Sequence, residues 1–358
     1  MAISKARLQQ SETWKEILSQ GRVWQTVLRE ISQSADVGEI LATHSFRKEW
    51  IFVGCGSSFY LAEAAANSWT LLTGQRARAV PASEVLLFPQ LVKRNSAEAQ
   101  AVVISRSGKT SETVRAAKVL SGSLGIPTVG VTCAKATELE QMCHSTIVVH
   151  TADEKSMVMT RSFTSMLLCL QALAARCAKN SQYILDLQRM AVHFAPRIHS
   201  FAEAIEAFVE KHSFADYVFL GQGPFEGITR EASLKVMEMS CSYSQFFHTL
   251  EFRHGPKAIV NPNTCLMFLL SETGLEAEQE VLAEMKELGG VTIAVCNQAG
   301  DSVRSISDLV IEVGFDGNEL ALLAPFIVPG QLLGFFTGLQ KGLDADQPKN
   351  LSRVVILD

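Results

Sequence analysis

A chain of 358 residues, 47% of them hydrophobic, is long enough to bury the cores of two ordinary domains. Its net charge of −5 and pI near 6.0 exclude nucleic acid as the main partner, because binding a phosphate backbone needs a basic face. No run of like charge offers a tail for a membrane surface, and eight scattered cysteines without a C-x-x-C pair suit a reducing cytoplasm, not a disulfide scaffold or a zinc site.

Residues 1–48 read as a helical lead-in, polar and charged, without the apolar core of a signal peptide; a soluble cytoplasmic protein is expected. Glu49 to Val53 then reads as a strand that runs into Gly54-Cys55-Gly56-Ser57-Ser58 and a helical pattern from Phe59 to Thr73. The plan recurs where Val102-Val103-Ile104 ends in Ser105-Arg106-Ser107-Gly108-Lys109-Thr110, with helical periodicity from Glu112 to Leu120. At such a junction the first helical N–H groups lack partners and the helix dipole is positive, so an anion is welcome, and the hydroxyls of Ser105, Ser107 and Thr110 add donors. An ordinary N-capped turn explains the same residues. Pro127 to Thr132 and Ser145 to His150 read as further buried strands, and strands alternating with helices imply parallel pairing.

The second half repeats this order. Tyr217 to Gly223 echoes Ile51 to Gly56, Leu266 to Gly274 echoes the Ser105 stretch, and Val291 to Val295 and Asp308 to Val313 match the later strands, at an offset near 165 residues. The expected fold is α/β: two tandem doubly wound parallel-sheet domains with helices on both faces, over 49–180 and 212–340. A helical connection over 181–211 joins them, and a tail over 341–358 is placed to close over a site. The first copy has Ser-Arg-Ser-Gly-Lys-Thr, whereas the second has Ser-Glu-Thr-Gly, in which Glu272 would repel a phosphate; one anion site per chain is expected, in the first half. Gly54-x-Gly56 lacks the third glycine of a dinucleotide fingerprint, and no Walker lysine motif occurs.

Glu231, Lys235 and Glu238 fall at i, i+4 and i+7 on one helical face. An exposed ion pair accounts for that spacing, but the neighbours Ala232, Leu234, Val236 and Met237 argue for a mostly buried helix whose charges line a cleft. His254 precedes Gly255-Pro256, in a turn that the fixed φ of proline makes rigid; a lone histidine is ordinarily structural or solvated. Leu320 to Leu339 is apolar but holds Pro325, Pro329, Gly330, Gly334, Gly338 and a central Gln331, which favours a buried helix or subunit contact over a membrane span. Lys341 opens the polar stretch that follows it.

These segments together resemble the SIS (sugar isomerase) family, in particular the isomerase half of glutamine–fructose-6-phosphate aminotransferase and the deaminase/isomerases called tagatose-6-phosphate ketose/aldose isomerases. The resemblance rests on Gly54 to Ser58, Ser105 to Thr110, Thr160-Arg161-Ser162-Phe163, Glu231 to Glu238, Phe252 to Pro256 and Lys341 to Leu351. It implies substrate and phosphate binding by Gly56, Ser57, Ser58, Ser105, Arg106, Ser107, Thr110, Thr160, Glu231 and Lys235. It implies Glu238 as the base moving a proton between C1 and C2, His254 as the ring-opening group and Lys341 at the carbonyl. It implies a homodimer with the site at or near the subunit interface, and His254 serving its own or the neighbouring subunit's site. No metal or cofactor is expected. The sequence departs from the synthase pattern at Arg106 and Lys109, which replace glutamine and glutamate and would make the pocket more positive, and at Met159, which replaces a serine. Residues 1–48 are too short for a glutaminase half, so the expected reaction is isomerisation, or release of an amine from an amino-sugar 6-phosphate of the hexosamine type. The alternatives are a plain ketose/aldose phosphate isomerase and a non-catalytic sugar-phosphate sensor.

Overall fold

The structure, a computed structural model, describes residues 5–44, 47–93 and 98–357. Of the expected lead-in, residues 1–4 and 45–46 lie outside these; the described part forms helices Lys5–Gln10, Glu12–Gln33 and Ala35–His44.

The strands come in two sets of five. The first set is β1 (Glu49–Gly54), β2 (Arg76–Pro81), β3 (Ala99–Ile104), β4 (Thr128–Thr132) and β5 (Ser145–Val148), paired in the order β2-β1-β3-β4-β5. The second is β6 (Asp216–Gly221), β7 (Tyr243–His248), β8 (Thr264–Leu269), β9 (Val291–Cys296) and β10 (Leu309–Glu312), in the order β10-β9-β8-β6-β7. Every pairing is parallel. Read from the other edge, the second order is the first one repeated, as the duplicated sequence pattern requires. Two edge strands, β2 and β7, escape the sequence reading: Arg76-Ala77-Arg78-Ala79 and Tyr243 to His248 are half exposed, so neither is an apolar run. Central strands such as β3 and β8 are buried at every position and read clearly.

Packing divides the chain into two compact units that are discontinuous in sequence. One comprises Arg22–Glu154, Arg161–Ala191 and Ser352–Asp358 and holds the first sheet; the other comprises Met1–Gly21, Lys155–Thr160 and Val192–Leu351 and holds the second. In the first, Val53, Val103, Leu120 and Ile126 are buried in one cluster beside the sheet; in the second, Leu220, Phe252, Phe268 and Val281 are buried in another. Each such side chain contributes about 1.5–3 kcal/mol of transfer free energy.

The apolar stretch Glu319–Gln340 is long and apolar enough to cross a membrane, but 94% of its most apolar 18-residue window is buried inside protein. Its helix, Leu323–Gln340, accommodates Gln331 in apolar surroundings because Gln20 Nε2 donates to Gln331 Oε1 at 2.8 Å and Gln331 Nε2 donates to the Thr160 carbonyl at 3.3 Å.

Candidate active site

In the first-sheet unit, the strand order reverses between β1 and β3, the point where open parallel sheets bind ligands. The turn after β1 puts Gly56 at φ 53° and ψ −127°, and in the other unit Gly223 after β6 repeats this at φ 56° and ψ −128°. Only glycine adopts that conformation without strain, so the duplication extends to backbone torsions. The helix Ser57–Thr73 begins two residues before the expected start, which places Ser57 and Ser58, both buried, in its first turn.

The loop after β3 is held by its own side chains. Gly108 N donates to Ser105 Oγ at 3.1 Å, Lys109 N donates to Ser107 Oγ at 3.2 Å, and Ser105 Oγ lies 3.3 Å from Thr110 Oγ1. Thr110 occupies the N-cap of helix Ser111–Lys118 but makes no side-chain capping bond, so the ordinary N-capped turn is not what forms. Ser111 N donates to the Val355 carbonyl at 3.2 Å, Leu357 N donates to Ser111 Oγ at 3.0 Å, and Arg115 donates to the Leu357 carbonyl at 3.1 Å. Val355 and Leu357 therefore lie along the start of this helix.

Arg106 departs from expectation. Its side chain is buried, 3.5 Å from the wholly buried Glu154 carboxylate, and donates to the Arg353 carbonyl at 3.2 Å. Its positive charge is thus already met by a carboxylate, which also accepts from Ser162 Oγ. Its carbonyl accepts from Cys133 N at 3.0 Å and Thr132 Oγ1 at 3.1 Å. Arg106 braces the loop instead of making it more positive, and Lys109 is the exposed cation beside it.

In the other unit, helix Pro224–Ser240 carries the expected charged face, and that face is buried. Lys235 and Glu231 are fully enclosed with 3.1 Å between their charged atoms, and Lys235 Nζ also donates to Glu238 Oε2; Glu238 keeps 17% of its side chain exposed. Burial alone would push the Lys235 ammonium down, but the carboxylates of Glu231 and Glu238 outweigh it and hold the group above its ordinary value. The exposed ion-pair reading is thereby excluded. Met237, expected among the apolar partners, is instead exposed at 36%.

Glu238 lines a cleft of about 240 Å³ with Cys241 and the tail residues Gly342, Leu343, Asp344, Gln347, Pro348 and Lys349. Asp346, which the sequence reading passed over, fixes that wall: its carboxylate accepts from Thr13 Oγ1 at 2.6 Å, Thr13 N at 2.7 Å, Glu12 N at 2.8 Å and Ser11 Oγ at 3.1 Å. Burial would raise the Asp346 carboxyl, yet these donors hold it below its usual value. A Ser-x-Thr ahead of a helix was the available signal, but its acidic partner lies more than 330 residues away. Lys341 Nζ donates to Ser242 Oγ at 2.6 Å, just beyond the end of the Glu238 helix. His254 sits in the expected turn before Gly255, is exposed, and does not line the Glu238 cleft. Thr160 is buried with its carbonyl on Gln331. One unit therefore brings Glu231, Lys235, Glu238 and tail residues 342–349 together, and the other holds the hydroxyl loop, Ser57-Ser58 and the tail from Ser352 on. Among the described residues, no cluster of three or more histidine, cysteine or acidic side chains could hold a metal.

The SIS domain model matches residues 47–176 and 215–328. The glutamine–fructose-6-phosphate aminotransferase of Pyrobaculum aerophilum is 26% identical over 321 residues, covering 86% of this chain and 51% of that protein. The chain thus spans about half the length of such curated relatives. Among solved structures, glucosamine-6-phosphate deaminase from Thermotoga maritima is 28% identical with a TM-score of 0.79, covering 97% of this chain and 100% of that one. Tagatose-6-phosphate ketose/aldose isomerase from Escherichia coli is 22% identical with a TM-score of 0.85, covering 98% and 97%, and shares the fold.

Proposed function

The chain belongs to the SIS domain family, and from its own residues we propose that it is a cytoplasmic enzyme that isomerises and deaminates an amino-sugar 6-phosphate of the hexosamine type. The observation that carries this reading is the enclosed Glu231–Lys235–Glu238 cluster, in which Glu238 alone reaches a cleft. A sensor needs only an anion loop; a carboxylate braced by a buried ammonium and opened to a cleft suits proton transfer. The full-length similarity to a glucosamine-6-phosphate deaminase supports the amine-releasing chemistry.

In this proposal Ser105, Ser107 and Thr110 bind the phosphate, with Ser57 and Ser58 near the sugar, and that binding energy orients the reacting carbons. His254 opens the sugar ring. Glu238 takes the C2 proton of the open aldehyde, giving an enolamine, and returns a proton to C1. The C2 imine so formed adds water and releases ammonia, leaving a ketose 6-phosphate. Lys341 stabilises the carbonyl oxygen during ring opening.

Incubation with glucosamine 6-phosphate or its galacto epimer is expected to release one ammonia per ketose phosphate formed. Isomerisation without ammonia would establish the plain ketose/aldose reading in its place. Glu238→Gln is expected to lower kcat by on the order of 10²–10⁴ with KM little changed; unaltered turnover would remove Glu238 from its role.

A further inference from the structure

We propose that the second half of the chain holds an anion cradle filled by its own Glu319 carboxylate, and that a phosphate group binds there once that carboxylate is removed. The Ser271–Gly274 loop follows β8 as the Ser105–Gly108 loop follows β3. It repeats the internal bond, with Gly274 N donating to Ser271 Oγ at 2.9 Å as Gly108 N does to Ser105 Oγ. Gly274 then caps a helix of 13 residues, Leu275–Glu287. The donors of this loop converge on one side chain: the Glu272 and Thr273 N–H groups and Thr273 Oγ1 all donate to Glu319, the last two at 3.2 and 2.7 Å. Two backbone amides and a hydroxyl at a helix start are the set a phosphate oxygen would take.

A second group beneath the loop has an unspent valence. Glu278, 1% exposed, accepts from Ser271 N at 2.6 Å and Ser271 Oγ at 3.1 Å through Oε2. Its Oε1 has no hydrogen-bond partner among the described residues and faces the cradle's glycine, since a Cβ added at Gly274 would lie 3.3 Å from it. Burial pushes this carboxyl up to about 7, so near neutrality much of it is a neutral acid able to donate to an anion.

The first copy shows what keeps such a cradle open. Glu154 precedes Glu319 by the same offset, near 165 residues, that relates the two sheets. There the carboxylate is drawn to Arg106 and Ser162. Glu272 stands where Arg106 would be and offers no cation, so Glu319 turns to the loop amides instead; the Glu272 carboxylate, which by sequence alone would repel a phosphate, is held by Asn297 Nδ2 at 2.5 Å.

The test is calorimetric titration of the whole chain with inorganic phosphate. The background carries Ser105→Ala and Thr110→Ala, which remove hydroxyls from the first loop. In that background Glu319→Ala is expected to gain one phosphate per chain, and adding Thr273→Val to weaken it by on the order of tenfold. Should Glu319→Ala not fold, Glu319→Gln keeps the shape without the charge and is expected to gain the same site with lower affinity. No gain in whichever variant folds overturns the proposal, as does a gain indifferent to Thr273→Val. If the first loop is not an anion site, the wild type and the Ser105/Thr110 variant bind phosphate alike, while the Glu319-dependent gain still appears.

Discussion

Lys235 and Glu278 are both sealed from water, and their surroundings send them in opposite directions. Lys235 stays charged because two carboxylates meet it; Glu278 has two donors from Ser271 but no cation, so burial raises it, with the nearby Glu319 charge adding to the effect. For an acid whose folded-state value exceeds its unfolded one, the folded protein holds the extra proton, and stability falls as pH rises between the two values. The window here runs from 4.5 to about 7, and the loss approaches roughly 3 kcal/mol. Urea unfolding at pH 5 and pH 8 is expected to show a smaller drop for Glu278→Gln than for the wild type, by up to that amount. Identical drops would mean that Glu278 ionises in the fold at no cost.

Among the elements, the helix pair Pro224–Ser240 and Leu323–Gln340 sets where Glu238 stands. Gly330, Gly334 and Gly338 recur every four residues on one face, and a Cβ at Gly334 would lie 2.7 Å from the Lys235 carbonyl oxygen, while one at Gly338 would meet the Met239 carbonyl oxygen. The glycines that argue against a membrane span in the sequence thus have a positive purpose, which is to let two backbones touch. Gly334→Ala is expected to cost about 1–3 kcal/mol through overpacking and to lower kcat by displacing Glu238, read by thermal melting and turnover. Gly122→Ala, in a helical segment where nothing lies within 4 Å of the added carbon, is expected to leave turnover unchanged and to hold or slightly raise the melting temperature. Equal effects at the two positions would deny the close approach any role.

For the molecule as a whole, the homodimer that the family resemblance implies gives His254 a testable allegiance. It is exposed and apart from the Glu238 cleft, as a residue serving a neighbouring subunit would be. Mixing unfolded Glu238→Gln and His254→Ala chains and refolding them together is expected to restore about a quarter of wild-type activity, because half the dimers are mixed and each mixed dimer regains one intact site. No recovery would place both residues in a site served by one chain.

Sequence alone determined the two-fold repeat, eight of the ten strands and the two hydroxyl-bearing turns, because buried parallel strands are continuous apolar runs and turns need glycine and small polar residues. It also singled out the Glu231–Lys235–Glu238 face, since helical spacing is local. Tertiary structure decided the rest. β2 and β7 are strands only because a neighbour offers them an edge to pair with. Arg106 is spent on Glu154, 48 residues downstream, so a residue that looks like a free cation in the loop is a brace. Asp346 and Glu319 hold elements far away or fill a loop through contacts that no local pattern records. Period and propensity report on neighbours along the chain; which carboxylate meets which donor depends on where folding brings them.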